Sequence, residues 1–342
     1  PYTTLFRSDV APLNLGHIAD HYSLDYTTVE LFSKTLSGSV KLRDLLETIS
    51  AATEFADVTV RHREDLALAR LANHLPLAIS GADYADAATK VNVLLQAHFS
   101  RIPLTAAVAA DQTELLPTAM RLLYAAVDVA SSARLLAPVI SAIELTQMVT
   151  MGMWPAEPQL LQVPHFDLDT VRRLAQRKVN TVADLLEMED EDRDAALQLP
   201  AGKMSDVARF CNAFPDIAVK FSVLTPEDDI VVNGRVSLGV VLERDPARDE
   251  EDFEEGVTTV VAPRYPKVKH ESWWLALGSV ERNELWGIKK VSLKNKVTKM
   301  KFDFVAPQAG MHELKLFLLS DSWVGADQEY AVALKVAGDM TD

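Results

Sequence analysis

The chain has 342 residues, 48% of them hydrophobic, 34 Lys and Arg against 49 Asp and Glu, and a formal net charge of −15. That length can bury two or three cores, whereas the acidic balance argues against tight sequence-independent binding of nucleic acid over the whole surface. A single cysteine, Cys211, excludes internal disulfides and Cys-based zinc sites, which suits a reducing compartment. No apolar run approaches a bilayer span and no signal peptide is present, so the expectation is a soluble, intracellular chain.

Residues 1–8 (PYTTLFRS) join no periodic pattern and read as a non-native leader, with true upstream sequence missing. From Pro12 to about Trp154 the pattern is helical. Thr27 and Glu30 suggest a capping box, with Gly38 ending that helix. Val40–Phe55 places Leu42, Leu45, Leu46 and Ile49 on one stripe, and His62–Leu75 stops before Pro76. Lys90–Arg101 is apolar nearly all round and should be a central helix. Two long helices follow, Thr113–Ser132 with Pro117 in its first turn and Pro138–Trp154 opened by its proline. Short connections between such helices imply a bundle.

Phe166–Phe214 is a small helical unit in which Val171, Leu174 and Val179 should face Val182, Leu185 and Leu186. Its Leu199-Pro200-Ala201-Gly202 turn, with Ser205 as the following N-cap, looks like a helix-hairpin-helix. The apolar period then changes from helical to alternating, and about seven strands run from Ile217 to Val336, with Trp273 or Trp274 as the central aromatic. Asp245–Glu255 interrupts them as an acidic, solvated loop. The fold class expected is therefore multidomain α+β. A helical bundle (9–160) precedes a helix-hairpin-helix domain (161–215) and an immunoglobulin- or fibronectin-like β-sandwich (216–342). Asn212–Ile217, stiffened by Pro215, should hold these as one rigid body.

No chemistry-bearing motif is present: Gly202-Lys203 is followed by Met204 and forms no phosphate loop, and there is no Gly-x-Ser-x-Gly or His-Glu-x-x-His. His17 and His21 have metal-ligand spacing but no third partner, so neither metal nor catalytic residues are assigned. The acidic run Glu187–Asp194 reads as a helix N-terminal cluster. Two features suit a partner. Gly202 and Lys203 in the hairpin turn are either a structural turn or a backbone-phosphate contact, the nearby carboxylates disfavouring the latter. Lys289, Lys290, Lys294, Lys296, Lys299 and Lys301 form either a basic stripe or edge-strand protection. Trp286, Trp323 and Tyr330 are candidate protein-docking residues, with burial in the sandwich core as the alternative.

The stretches DVAPLNLGHIADHY, DYTTVELFS, RHREDLALARLA, KVNVLLQAHFSRIPL, IELTQMVTMGMW, LLEMEDEDRDAALQL, DVARFCNAFP, KFDFVAP and LLSDSWVGADQEY resemble the Sec-sixty-three homology unit. That unit follows the motor of large Ski-two-like helicases and also ends a translocon subunit of the endoplasmic reticulum. The likeness is greatest to the second, inactive cassette of the U5 snRNP DExH-box RNA helicases, which unwind U4/U6 RNA in pre-mRNA splicing. It implies a nuclear, non-catalytic module that regulates and docks spliceosomal proteins, with motor domains in cis, little or no RNA contact and no membrane. ATP and Mg would belong only to the motor. In the family's active cassette the helix matching Thr113–Ser132 touches the translocating strand. Arg121 matches one of its basic positions, Tyr124 stands where a second Arg is usual, and Ser131–Leu135 lacks the usual Gly-Trp. The resemblance leaves open a nucleic-acid-binding module of another Ski-two-like helicase, or the translocon protein itself.

Overall fold

A computed structural model describes residues 14–245 and 258–338; the expected leader and nearly all of the acidic loop lie outside them. Eleven helices precede nine strands in the described residues. The helices are α1 Asn14–Tyr22, α2 Tyr26–Thr35, α3 Leu42–Ser50, α4 Glu64–Ala72, α5 Ala87–Phe99, α6 Ala106–Ser132, α7 Leu136–Met151, α8 Leu168–Gln176, α9 Val182–Glu187, α10 Asp190–Leu197 and α11 Ala201–Ala213. The strands are β1 Ile217–Val223, β2 Arg235–Arg244, β3 Thr259–Val260, β4 Lys269–His270, β5 Trp273–Ser279, β6 Glu284–Val291, β7 Val297–Val305, β8 Gly310–Ser320 and β9 Gln328–Val336.

Helix α5 is buried over almost its whole length and sits centrally, as its apolar circumference requires. It nonetheless encloses Lys90, which is fully buried. The Lys90 ammonium donates to the Thr59 carbonyl at 2.8 Å, Glu64 at 2.8 Å and Asp111 at 2.6 Å, and Arg61 closes the cluster on both acids. A buried charge survives only with such partners.

Several local expectations are corrected. The N-cap of α2 is Asp25, whose carboxylate accepts the Thr27 N–H; Glu30 instead pairs with Lys34. Helix α6 begins at Ala106, so Pro117 lies inside it rather than in its first turn. Proline removes one backbone donor there, but Leu115, Leu116, Ala119 and Met120 bury the helix on both sides of the break. Leu186 is 44% exposed and does not join the core of its unit.

Strands β1-β2-β7 form one antiparallel sheet and β6-β5-β8-β9 another, with β3 and β4 paired separately. Alternation along β5 decides the architecture, because every residue of that strand is buried. Trp273, Leu275 and Leu277 join Leu316 and Leu318 of β8, Phe302 and Phe304 of β7 and Leu238 of β2 in a core between the sheets. Trp274 and Ala276, with Phe317 and Leu319, face the opposite way and pack with the residues of α2, α3, α5, α6 and α7. The two tryptophans thus serve different cores. Gly278, at a bulge against β6, admits the Glu284 carbonyl so closely that a Cβ would stand 2.4 Å from it.

The unit α8–α11 shares the inter-sheet core. Trp323, fully buried, lies edge-on to Phe210 and Phe214 with ring centroids 5.4 and 5.5 Å away. Cys211 is buried beside them, and burial pushes its thiol up to about 11. Helical and β parts therefore interlock through a shared sheet. We expect urea unfolding followed by far-ultraviolet circular dichroism and by tryptophan fluorescence to coincide. Phe317→Ala should cost about 3–5 kcal/mol in both signals, whereas Met311→Ala, at a residue 70% exposed, should cost less than about 0.5 kcal/mol.

Candidate interaction surfaces

The hairpin turn is built by the end of α10 and the start of α11. Gln198 takes a left-handed conformation with φ 52° and closes α10 on the Asp194 carbonyl. Arg193 reaches back to the carbonyls of Leu185, Leu186 and Met188 and holds the end of α9 against α10. The N-cap of α11 is Pro200, not Ser205: its carbonyl accepts the N–H groups of Lys203 and Met204 at 2.9 and 3.0 Å. Proline's fixed φ presets the turn, and the helix starts five residues earlier than the serine signal suggests. Gly202 therefore sits within the first helical turn, where a Cβ would meet nothing within 4 Å. Gly202 and Lys203 are both exposed.

Arg121 is half-buried on α6 and donates to the Ser23 carbonyl at 3.4 Å, against the α1–α2 turn. Tyr124, one turn further on, faces the β part. Its hydroxyl donates to Asp321 Oδ2 at 2.6 Å, its ring lies 5.5 Å from that of Trp274, and the Lys290 ammonium stands 4.0 Å from its centroid.

Asp321 is fully buried and is the junction that the sequence did not announce. Besides Tyr124 it accepts from the Lys269 ammonium, the Ser272 N–H at 2.9 Å, the Ser272 hydroxyl at 2.8 Å and the Ser322 hydroxyl at 2.5 Å. Burial alone would raise its carboxyl, but the Lys269 charge and these donors outweigh burial and hold it below the usual carboxylate range. The same loop carries Asp327, which accepts the Ser320 N–H at 2.7 Å and the Gln147 amide at 2.8 Å. With no cation beside it, burial pushes Asp327 up to about 6.

The six lysines do not form one stripe. Lys289 and Lys290 are neighbours on β6 and point to opposite sides of the sheet: Lys289 donates to the Lys301 carbonyl, while Lys290 covers Tyr124. Lys299 and Lys301 share the outer side of β7, where Lys301 stands 3.5 Å from Asp303. Of the candidate docking aromatics, Trp323 is fully buried, its Nε1 donating to Glu271 at 2.8 Å, and Trp286 is buried against His312 with centroids 4.9 Å apart. Neither presents its ring to solvent. Tyr330 is half-buried, its hydroxyl donating to Gln328 at 2.6 Å. Among the described residues no three His, Cys, Asp or Glu converge as metal ligands, and no helix is long and apolar enough to cross a membrane.

Residues 12–333 match the family model of the Sec63 Brl domain, and the chain belongs to that family. It is 43% identical over 334 residues to the human U5 small nuclear ribonucleoprotein 200 kDa helicase, an alignment covering 98% of this chain and 15% of that protein. It is 41% identical over 334 residues to the Arabidopsis thaliana DExH-box ATP-dependent RNA helicase DExH12, covering 96% of this chain and 15% of the relative. The activating signal cointegrator 1 complex subunit 3-like protein of Dictyostelium discoideum is 40% identical over 327 residues, 95% of this chain and 14% of its own. The chain thus spans about 15% of the length of the curated relatives it matches.

Two substitutions test this geometry. Gly202→Ala should stabilise the chain by about 0.5–1 kcal/mol in urea titration, since the site is helical and open. Asp327 has a folded-state pKa above its ordinary 3.8. Between the two values the folded state keeps a proton that the unfolded chain releases. Its contribution to stability therefore falls as pH rises from about 4 to about 6, then stays level. The difference in unfolding free energy between the parent and Asp327→Asn should shift against the parent across that window, by less than the full pKa difference implies because the solvent-accessible side of the residue screens it.

Proposed function

We propose that this chain is the Sec63 unit of a spliceosomal U5 snRNP RNA helicase and acts, without catalysis of its own, as a regulatory and protein-docking module. The kinship to U5 helicases supports the spliceosomal and nuclear setting, with motor domains, ATP and Mg elsewhere in the parent chain. We read α10 and α11 as a helix-hairpin-helix and the two larger sheets as a fibronectin-like sandwich, with domains at 9–160, 161–215 and 216–342.

One observation carries the non-catalytic reading. On the helix that touches the translocating strand in active relatives, Tyr124 occupies an arginine position and is turned inward onto Asp321. Arg121 remains, already engaged by the Ser23 carbonyl. This favours the second, inactive cassette. Gly202 and Lys203 offer an exposed helix start, but Asp190, Glu191 and Asp192 lie in the first turn of the helix before it and oppose phosphate. Of the three candidate aromatics, docking falls to Tyr330, which is half-buried at the edge of the inter-sheet core rather than enclosed in it.

The purified chain should show no RNA-stimulated ATP hydrolysis and should bind single-stranded RNA no tighter than about 10⁻⁶ M at physiological salt. Submicromolar affinity that falls steeply with salt and is weakened by Lys203→Glu would establish a nucleic-acid-binding module instead. Immobilised chain should recover splicing proteins from nuclear extract, and Tyr330→Ala should reduce the yield of at least one. Recovery of none by folded chain would defeat the docking role.

A further inference from the structure

Two arginines meet where the helical part, the segment before α8 and the β3–β4 connection converge. Arg101 follows α5 with a left-handed φ of 54°, and its Nε donates at 2.8 Å to the carbonyl of Gly152, the residue that closes α7. Its Nη2 is buried and has no hydrogen-bond partner. Arg264 is exposed, and its aliphatic stem rests on Gly152, where a Cβ would come within 2.8 Å of its Cδ. Any side chain at residue 152 would displace it.

Among the described residues no carboxylate forms an ion pair with either guanidinium. Burial and the Arg264 charge both hold Arg101 below the ordinary guanidinium range, only partly offset by Glu157. Glu157 is itself occupied, accepting the Trp154 N–H at 2.9 Å. His98 stands behind the pair with Nε2 2.9 Å from the Val149 carbonyl; burial pushes it down to about 4, so it brings no compensating or added charge at neutral pH. A repelling cationic pair with a buried, unused donor is the inverse of the Lys90 and Lys269 sites, where carboxylates complete the cluster.

Arg101 and Arg264, with Leu161 and Phe166, line two adjoining cavities of about 490 and 500 Å³. Planar guanidinium forks match the oxygens of phosphate and sulfate. The same cavities are also lined by Glu157, Asp167, Asp169 and Asp206. A running nucleic-acid backbone would have to pass all of those carboxylates, whereas one compact anion needs to engage only the two guanidinium groups. We propose that Arg101 and Arg264 clamp a single phosphate-sized oxyanion at this seam. The site is independent of the docking face around Tyr330.

The test is thermal unfolding of the full chain titrated with inorganic phosphate at constant ionic strength set by chloride. Phosphate should raise the midpoint saturably, by roughly 4 °C at a hundredfold excess over Kd. Arg264→Met should weaken apparent affinity at least tenfold, while Arg235→Met, which removes the same charge from the sheet surface, should leave it within twofold. Arg101→Met removes the Gly152 contact as well, so exposed Arg264 carries the test if that variant does not fold. A phosphoserine peptide and its unphosphorylated form, run in parallel, separate a protein-borne phosphoryl group from free phosphate. Tighter binding of either source than of chloride supports the clamp. No phosphate-specific shift, or a shift unchanged in Arg264→Met, overturns it.

Discussion

Asp321 carries a negative charge with no solvent around it, and the way it is compensated fixes how the halves of this chain meet. Lys269 supplies the opposite charge from β4, Ser272 an N–H and hydroxyl from the approach to β5, Ser322 a hydroxyl from its own loop, and Tyr124 a phenolic donor from α6. A charge out of water is tolerated only when every lone pair is met. The α6 helix therefore has one acceptable distance and rotation against the end of β8. Gln147, donating to the Ser320 carbonyl and to Asp327, repeats the arrangement from α7.

Those polar pins act on a sheet that is apolar on both faces. Each residue of β5 commits to one core or the other by parity, and a one-residue slip would exchange Trp273 with Trp274 and empty both. The pins set register while the faces supply most of the burial. The Trp323 indole, tied to Glu271 and wedged between Phe210 and Phe214, extends the same principle to α11.

Much of this was legible in the residue pattern: the helical run to Trp154, the change of period near Ile217, the central place of the helix around Val91–Phe99, and a turn between two helices at Leu199–Pro200. What stayed hidden depends on neighbours distant in sequence. Lys90 and Tyr124 look like surface residues until the acids that face them are known. Alternation says that Lys289 and Lys290 part company, but not that Lys290 has an aromatic beneath it. Pro117 reads as a helix start because its cost is local, while the burial that sustains α6 across it is tertiary. Among Trp286, Trp323 and Tyr330, composition favours all three for recognition; burial separates the tyrosine from the rest. Arg101 gave no signal, since an orphaned donor is visible only in three dimensions.

The doubly buried sheet bears on how such a chain can be divided. Connection lengths suggest cutting near Pro215, yet a β fragment made that way would carry Trp274, Phe317 and Leu319 uncovered on one side. The matching helical fragment would lose the surface under α6 and α7. Both pieces would present an adhesive apolar plate to the cell's quality control, the kind of patch that soluble monomers avoid. Insertions and exchanges between relatives should therefore be inherited as whole units, so that the visible modularity of the chain order is not a modularity of replacement.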